Sequence, residues 1–567
     1  MSTPAATVTA HREFEPKFVT VLREGYSRRQ FAHDLAAGIQ VGIVALPLSL
    51  ALAIASGVRP EQGLFTAVVA GFLISALGGS RVQIGGPTGA FIVLVYGIVQ
   101  TYGYDGLAVA TMMAGGLMVL MGIARLGNVI KFVPYPVTIG FTSGIAIIIA
   151  VSQVRDLLGL DMESVPADFV EKIVAYGGRV GSVNPWALGV GAFAVLFLIF
   201  WPRVNPRIPS PLLAIVIATL AAYALDLPVE TIGDRFGAVP HMLPAPELPS
   251  VSYAEMRALF PSAIAIALLA SIESLLSAVV SDGMMGGRHR SNMELVAQGV
   301  ANVASPVFGG IPATGAIART ALNVRSGGRT PVAGMVHSLT VLLILFALAP
   351  LAGMIPMAAL AGILLLVAYH MSEWRVFVKL FRSPKSDILV LLTTFLLTVL
   401  VDLVVALQAG IVLAAFLFMR RMADLSEASY VQDMMAEDVD EGTDPALTEP
   451  LPHGVEMFKV HGTLFFGAAS KFKDAMRRVE KPPKVLILRL REVLVIDATG
   501  LRALEDLLDK AEHDGTKIVM TAVQAQPRGV LERAGILARV GEENLVPDFR
   551  RAVDRSREIL AAPVRAP

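Results

Sequence analysis

Two short passages more than two hundred residues apart read almost identically: Gly85-Gly86-Pro87-Thr88-Gly89-Ala90 and Gly309-Gly310-Ile311-Pro312-Ala313-Thr314-Gly315-Ala316. Each lies inside a long apolar stretch, where Gly and Pro weaken a continuous helix. A helix broken at mid-membrane exposes backbone N–H groups that lipid cannot satisfy, so the break must face protein or a polar cavity. The positive end of a half-helix there favours an anion. Glycine-rich stretches also allow close helix packing, but corresponding breaks in two halves of a chain point to a transporter's binding site.

Composition agrees with a membrane setting. Of 567 residues, 54% are apolar and 17% charged, against roughly 25% charged in soluble proteins; mean hydropathy is +0.64. Net charge is zero, which gives no reason to expect nucleic acid as a partner. There is no cysteine, so disulfides, thiolate metal sites and cysteine catalysis are excluded. No nucleophile–base pair or metal-ligand spacing stands out, which argues against an enzyme, and nothing calls for a cofactor. Residues 1–30 are polar and read as a cytosolic tail, with no apolar core followed by a cleavage site.

Apolar segments long enough to span, or nearly so, run from Phe31 to Met422. They read as spans near 31–56, 62–78, 87–101, 105–126, 132–153, 185–201 and 211–226, then 258–281, 293–305, 313–324, 330–351, 354–371, 386–403 and 405–422. The third and tenth are too short to cross as helices, and each opens at a Gly/Pro break. The count is seven plus seven, and an odd number per half inverts one half relative to the other. With a cytosolic N-terminus, the loops predicted inside carry Arg125/Lys131, Arg203/Arg207, Arg288/Arg290, Arg325/Arg329 and Arg375/Lys379/Arg382/Lys385. The opposite loops hold Asp105, Asp161, Glu163, Asp168, Glu230 and Asp234, as the positive-inside rule requires. Both termini are then cytosolic. Residues 423–454 form an acidic linker, and 455–560 alternate strand and helix patterns as a small α/β domain.

Candidate site residues follow from the breaks. Pro87, Thr88, Gly89 and Ala90, with Thr314, Gly315 and Ala316, offer N–H donors and two hydroxyls to a ligand. Glu273 is a lone carboxylate in span eight, with Ser277 on the same face one turn later. Such a group suggests a coupling proton or sodium ion, a partner for an arginine, or a bond between helices. Arg319 follows the second break and would add a guanidinium to an anion held there, unless it snorkels to the surface or pairs with Glu273. Pro47 kinks span one beside Ser49, freeing backbone groups toward the same cavity. Glu294, Asn302 and Asp402 read as structural or gating groups, and His337 and His370 as packing residues. In the soluble domain Asp497 can cap a helix, and Thr499 is a regulatory candidate where a phosphate would meet the helix N-terminus.

These residues also carry a family likeness. Pro60-Glu61-Gln62-Gly63-Leu64-Phe65-Thr66-Ala67 through Gly78-Gly79-Ser80-Arg81 resembles the signature of the SulP anion transporters, solute carrier family twenty-six, with Gln62 and Phe65 where tyrosines are usual. Residues 308–320 resemble that family's tenth span, and the chain from Val455 resembles its STAS domain. The resemblance implies fourteen spans in two inverted sevens, a core domain moving against a gate domain by an elevator-type motion, and a homodimer in a bacterial inner membrane. It also implies an anion between spans three and ten, near Glu273 and Arg319, with Pro47 and Ser49 contributed by span one. Ile272-Glu273-Ser274-Leu275-Leu276, Ser281-Asp282-Gly283-Met284 and Tyr369-His370-Met371-Ser372-Glu373 look most similar to bacterial aerobic C4-dicarboxylic acid transporters. The expected activity is proton- or sodium-coupled anion uptake, with succinate or fumarate favoured over sulfate or bicarbonate. A cytosolic protein is a possible partner for the STAS domain. An uncoupled anion channel, a nucleobase permease and a membrane-anchored sensor are the rival readings.

Overall fold

The computed structural model describes residues 13–128, 134–162, 165–166, 168–205, 208–250, 252–401, 403–425, 428–431, 451–464 and 482–561. Lys131, Glu163, Arg207 and Asp402 lie outside the described residues, as does most of the acidic linker. The chain divides into two compact units, one ending at Val412 and the other beginning at Leu413.

The first unit is helical. It opens with α1 (Lys17–Glu24), α2 (Arg28–Ala55) and α3 (Pro60–Leu77), followed by a two-residue strand β1 (Gly85–Gly86). Next come α4 (Ile92–Ile123), α5 (Tyr135–Ser152), α6 (Val154–Leu158), α7 (Phe169–Gly178), α8 (Pro185–Val204), α9 (Ser210–Ala224) and α10 (Ile232–Phe236). The second half holds α11 (Tyr253–Met285), α12 (Ser291–Val307), strand β2 (Thr314–Gly315), α13 (Ile317–Arg325), α14 (Pro331–Ala352), α15 (Met357–Met371), α16 (Trp374–Leu380), α17 (Lys385–Leu400) and α18 (Leu403–Leu425). Many start where the sequence supplies a cap or a proline. Ser27 and Ser252 close capping boxes with Gln30 and Glu255, Asn184 caps a helix whose first residue is Pro185, and Thr330 does the same before Pro331.

Every segment read as a span contains a helix, and the pattern fails at the edges instead. Spans three and four lie within α4, which is two helices meeting at Gly103, where φ is +68°. Among the described residues, eight helices are long and apolar enough to cross a membrane. Shorter ones, such as α12 and α13, carry buried polar side chains. Their helical length is set by packing in the protein interior, where neighbours replace lipid. On α11 the small residues Ala263, Ala267, Ala270, Ser274, Ser277 and Ser281 recur every three or four positions and are buried, which lets α4 and α13 pack closely.

The second unit contains a five-stranded sheet in the order β3 (Ala428–Val431), β4 (Val455–Leu464), β5 (Val485–Ile496), β6 (Lys517–Thr521), β7 (Leu545–Val546). The β3–β4 pair is antiparallel and the rest are parallel. Parallel strands are covered on both faces, and β5 shows how. Leu486, Leu488 and Leu490 meet Leu504 and Leu508 of α19 (Ala498–Asp514) and Leu531 of α20 (Ala525–Arg533). Val485 and Ile487 meet Phe549 and Val553 of α22 (Phe549–Ala561), which follows the short α21 (Ile536–Val540). The sequence pattern predicts strands over Val455–Val460 and Lys484–Leu490, and β4 and β5 run on past these ends by four and six residues. Asp497 caps α19 by accepting from the Gly500 N–H at 2.7 Å, and Thr499 is exposed in the first turn.

Candidate anion site

The two breaks meet. β1 and β2 pair antiparallel, Gly85 opposite Gly315 and Gly86 opposite Thr314. A short 3-10 turn, Gly89–Phe91, leads into α4, and α13 starts after Ala316. The first N–H groups of each helix have no acceptor within the helix, so two positive helix ends flank one small sheet. Gly86 adopts φ +145°, and a β-carbon there would stand 2.7 Å from Nη1 of Arg319. A β-carbon on Gly315 would collide with the side chain of Gln83. Glycine at these positions lets the buried guanidinium and amide lie directly against backbone.

Buried polar residues hold the two extended segments. Asn302 donates to the Ala313 carbonyl and accepts the Ala313 N–H, each at 2.8 Å. Asn323 donates to the Val82 carbonyl at 2.9 Å, and the Ile84 N–H donates to the Thr320 hydroxyl at 3.0 Å. Glu294 accepts from Gly79 and Ser80 N–H at 2.8 and 3.0 Å and from Gln298 at 2.9 Å. The structural reading of Glu294 and Asn302 fits this geometry. Asn323, Thr320 and Gln83 went unnoticed in the sequence, although polar residues one to two turns from a Gly/Pro break were a usable signal.

The candidate residues separate into those that gather and those that do not. Thr88 donates its hydroxyl to Glu273 Oε2 at 2.9 Å across 185 residues of sequence. Arg319 is 4% exposed; Nη2 donates to the Pro87 carbonyl and Nη1 has no hydrogen-bond partner among the described residues. Gly89 and Ala90 form the turn that opens α4, and the missing β-carbon of Gly89 faces Ile149 and the Met371 sulfur at 3.4 Å each. Pro87, Thr88, Gly89, Ala90, Glu273 and Arg319 therefore share one place. No ion pair joins Glu273 to Arg319 among the described residues.

Thr314, Ser277, Pro47 and Ser49 lie in the packing around this place. The Thr314 hydroxyl is fully buried, 2.7 Å from Ser274 Oγ and donating to the Ala270 carbonyl at 2.9 Å, which ties β2 to α11. The Ala316 N–H donates to the Ile84 carbonyl at 2.8 Å, and Gly315 is in the ladder. Ile317 and Ala318, the first two residues of α13, are exposed. Ser277 donates to the Thr320 hydroxyl at 3.2 Å, so its oxygen is already engaged in helix packing. Pro47 and Ser49 are buried on α2, which packs on α13, but the Ser49 hydroxyl meets no partner. His337 is fully buried with neither ring nitrogen partnered.

The chain matches the Sulfate permease family over residues 31–394 and the STAS domain over residues 450–552. It is 41% identical to the putative sulfate transporter YvdB of Bacillus subtilis, over 92% of this chain and 97% of that one. It is 31% identical to the bicarbonate transporter BicA of Picosynechococcus, over 90% of this chain and 92% of that one. The solved structure of murine solute carrier 26 family member A9, an anion transporter in an inward-facing state, shares the fold. Its TM-score is 0.86 at 18% identity, covering 98% of this chain and 96% of that one. Twin breaks paired in one small sheet, a bundle of apolar helices and an appended STAS domain thus have one common account: this chain belongs to the SulP family of anion transporters.

Proposed function

We propose that the protein carries small oxyanions of the sulfate or bicarbonate kind across a bacterial inner membrane. The observation that carries this reading is the free Nη1 of Arg319, a buried guanidinium nitrogen with no acceptor, set beside two helix starts. A buried charged donor left unpaired is costly, and a planar or tetrahedral oxyanion between Thr88–Ala90 and Ile317–Ala318 would satisfy it. The sulfate and bicarbonate names of the relatives favour these anions over C4-dicarboxylates. Dicarboxylate transport remains the second reading, because the Tyr369–Glu373 segment that resembles those carriers places Met371 against Gly89.

We read a transport cycle into the same contacts. Glu273 accepts a hydroxyl hydrogen from Thr88 beside the anion, so loading it with a proton or sodium ion would lower the negative charge that the anion meets. The group α2–α4 with α11–α14 would move as a core domain against α5–α10 and α15–α18, giving fourteen spans with both termini cytosolic. Residues 31–422 would form this transport domain, 423–454 the linker and 455–560 the STAS domain, with Thr499 as a regulatory phosphorylation site. A homodimer and a cytosolic partner of the STAS domain complete the reading.

The test is uptake of labelled sulfate, bicarbonate and fumarate into proteoliposomes under imposed proton or sodium gradients. Sulfate or bicarbonate uptake is expected, with Glu273→Gln retaining anion binding and losing the response to the gradient. Uracil uptake with no anion uptake would overturn the proposal.

A further inference from the structure

A second polar place lies along the half-helix, away from the paired strands. A cavity of about 650 Å³ is walled by residues from Ile92 to Tyr102 of α4, from Ile148 to Asp156 of α5 and α6, Lys172 of α7 and residues around Thr398 of α17. At about 30 Å³ per water it has room for a hydrated ion. The cavity starts at Ile92, directly after the Gly89–Phe91 turn of the central site. Ile149, beside the lining residue Ile148, packs against Gly89.

The cations of this cavity are not all paired with a carboxylate. Arg235 donates to Asp156 at 2.7 Å and to Glu230 at 2.8 Å. Asp168 caps α7, accepting from Val170 and Glu171 N–H at 2.9 and 3.1 Å. Lys172 and Arg155 remain. Lys172 is 5% exposed and forms no ion pair among the described residues; its ammonium stands 5.5 Å from the centre of the Tyr96 ring. Arg155 Nε is buried with no hydrogen-bond partner, as is the Tyr176 hydroxyl. Burial pulls the Lys172 pKa below the ordinary lysine value, and the charge of Asp168 counters this only in part. Cation–π contact with one ring does not replace an anion for a buried ammonium.

We propose that Lys172 and Arg155 form a vestibule subsite that takes an oxyanion and passes it along α4, past Ile149, to the central site. The chemistry fits a free sulfate-like or bicarbonate-like ion, or the phosphate of a lipid headgroup. Two cations left without a carboxylate partner in one cleft raise the local concentration of an anion, so the subsite acts on loading and leaves the translocation step unchanged. The proposal rests on the anion-carrier reading, and binding is therefore measured apart from transport.

Inorganic sulfate is titrated calorimetrically into the full chain in phosphatidylcholine nanodiscs at fixed ionic strength. Two binding events are expected. The double variant Lys172→Gln/Arg155→Gln loses one and keeps the other, while Arg319→Gln does the converse. Lys172→Arg, which keeps the charge, retains both and controls for misfolding of α7. Repetition in phosphatidylglycerol nanodiscs separates the sources: loss of the second event there means that lipid phosphate occupies the subsite. In proteoliposomes the double variant raises the sulfate KM about tenfold with kcat within twofold. Persistence of the second sulfate event in the double variant, or its absence from the unmodified protein in both lipids, overturns the subsite. Two binding events without any anion uptake would instead sink the carrier reading and leave the subsite standing.

Discussion

The two Gly/Pro breaks have nearly the same sequence and different work. In the first, Thr88 faces Glu273 and the turn Gly89–Phe91 opens toward Met371 and Ile149. In the second, the matching threonine, Thr314, is locked between Ser274 and Ala270, and Asn302 clamps Ala313 from both sides. The threonine of the first break meets a carboxylate and that of the second anchors the sheet to α11, while Arg319, just past the second break, reaches back to Pro87 of the first. Equivalence in sequence gives equivalence of backbone geometry. Side-chain roles are set by the neighbour each break meets, and α11 offers a carboxylate to one and small hydroxyls to the other.

Mutations can break or sharpen that contrast. The largest effect is expected from Arg319→Gln, which removes the guanidinium that spans the pair; labelled sulfate uptake should fall about 100-fold, the scale of losing a buried charged hydrogen bond. Uptake above a third of normal would remove Arg319 from the site. Asn302→Ala should next destabilise the second break by about 2–3 kcal/mol, because it leaves a buried carbonyl and N–H of Ala313 without partners. A lowered midpoint in thermal unfolding checks this, and an unchanged midpoint would show that the clamp contributes little. Thr88→Ala should lower uptake about fivefold with the unfolding midpoint unchanged. Thr314→Ala should do the reverse, lowering stability by about 1 kcal/mol with the sulfate KM unchanged. If the two threonine variants behave alike, the division of labour between the breaks is wrong.

Much of the fold was legible because its signals are strong and local. Long apolar runs, capping residues such as Ser252 and Thr330, and the shift to strand–helix alternation after Val455 all act within a few residues. Part of the site was legible for the same reason: a glycine–proline break is a local property, and Glu273 and Arg319 stand out in apolar surroundings. Less legible is a residue whose meaning depends on its contact. Ser277 and Thr314 look like ligand groups in sequence, yet each already bonds a neighbouring helix or strand. Short helices such as α7, with Lys172, carry no hydropathy signal that ties them to a cavity.

The sequence alone determined that this chain is a multi-pass membrane protein, that two of its apolar stretches are broken by glycine and proline, and that a helix starting at such a break favours negative charge. Hydrophobicity, chain breaks and helix polarity are properties of residues and their near neighbours. Only the tertiary structure decided that the breaks pair as strands, that Arg319 keeps one nitrogen free, and that Thr88 has the open position. Those facts rest on contacts between residues up to 232 positions apart, whose partners no local pattern specifies.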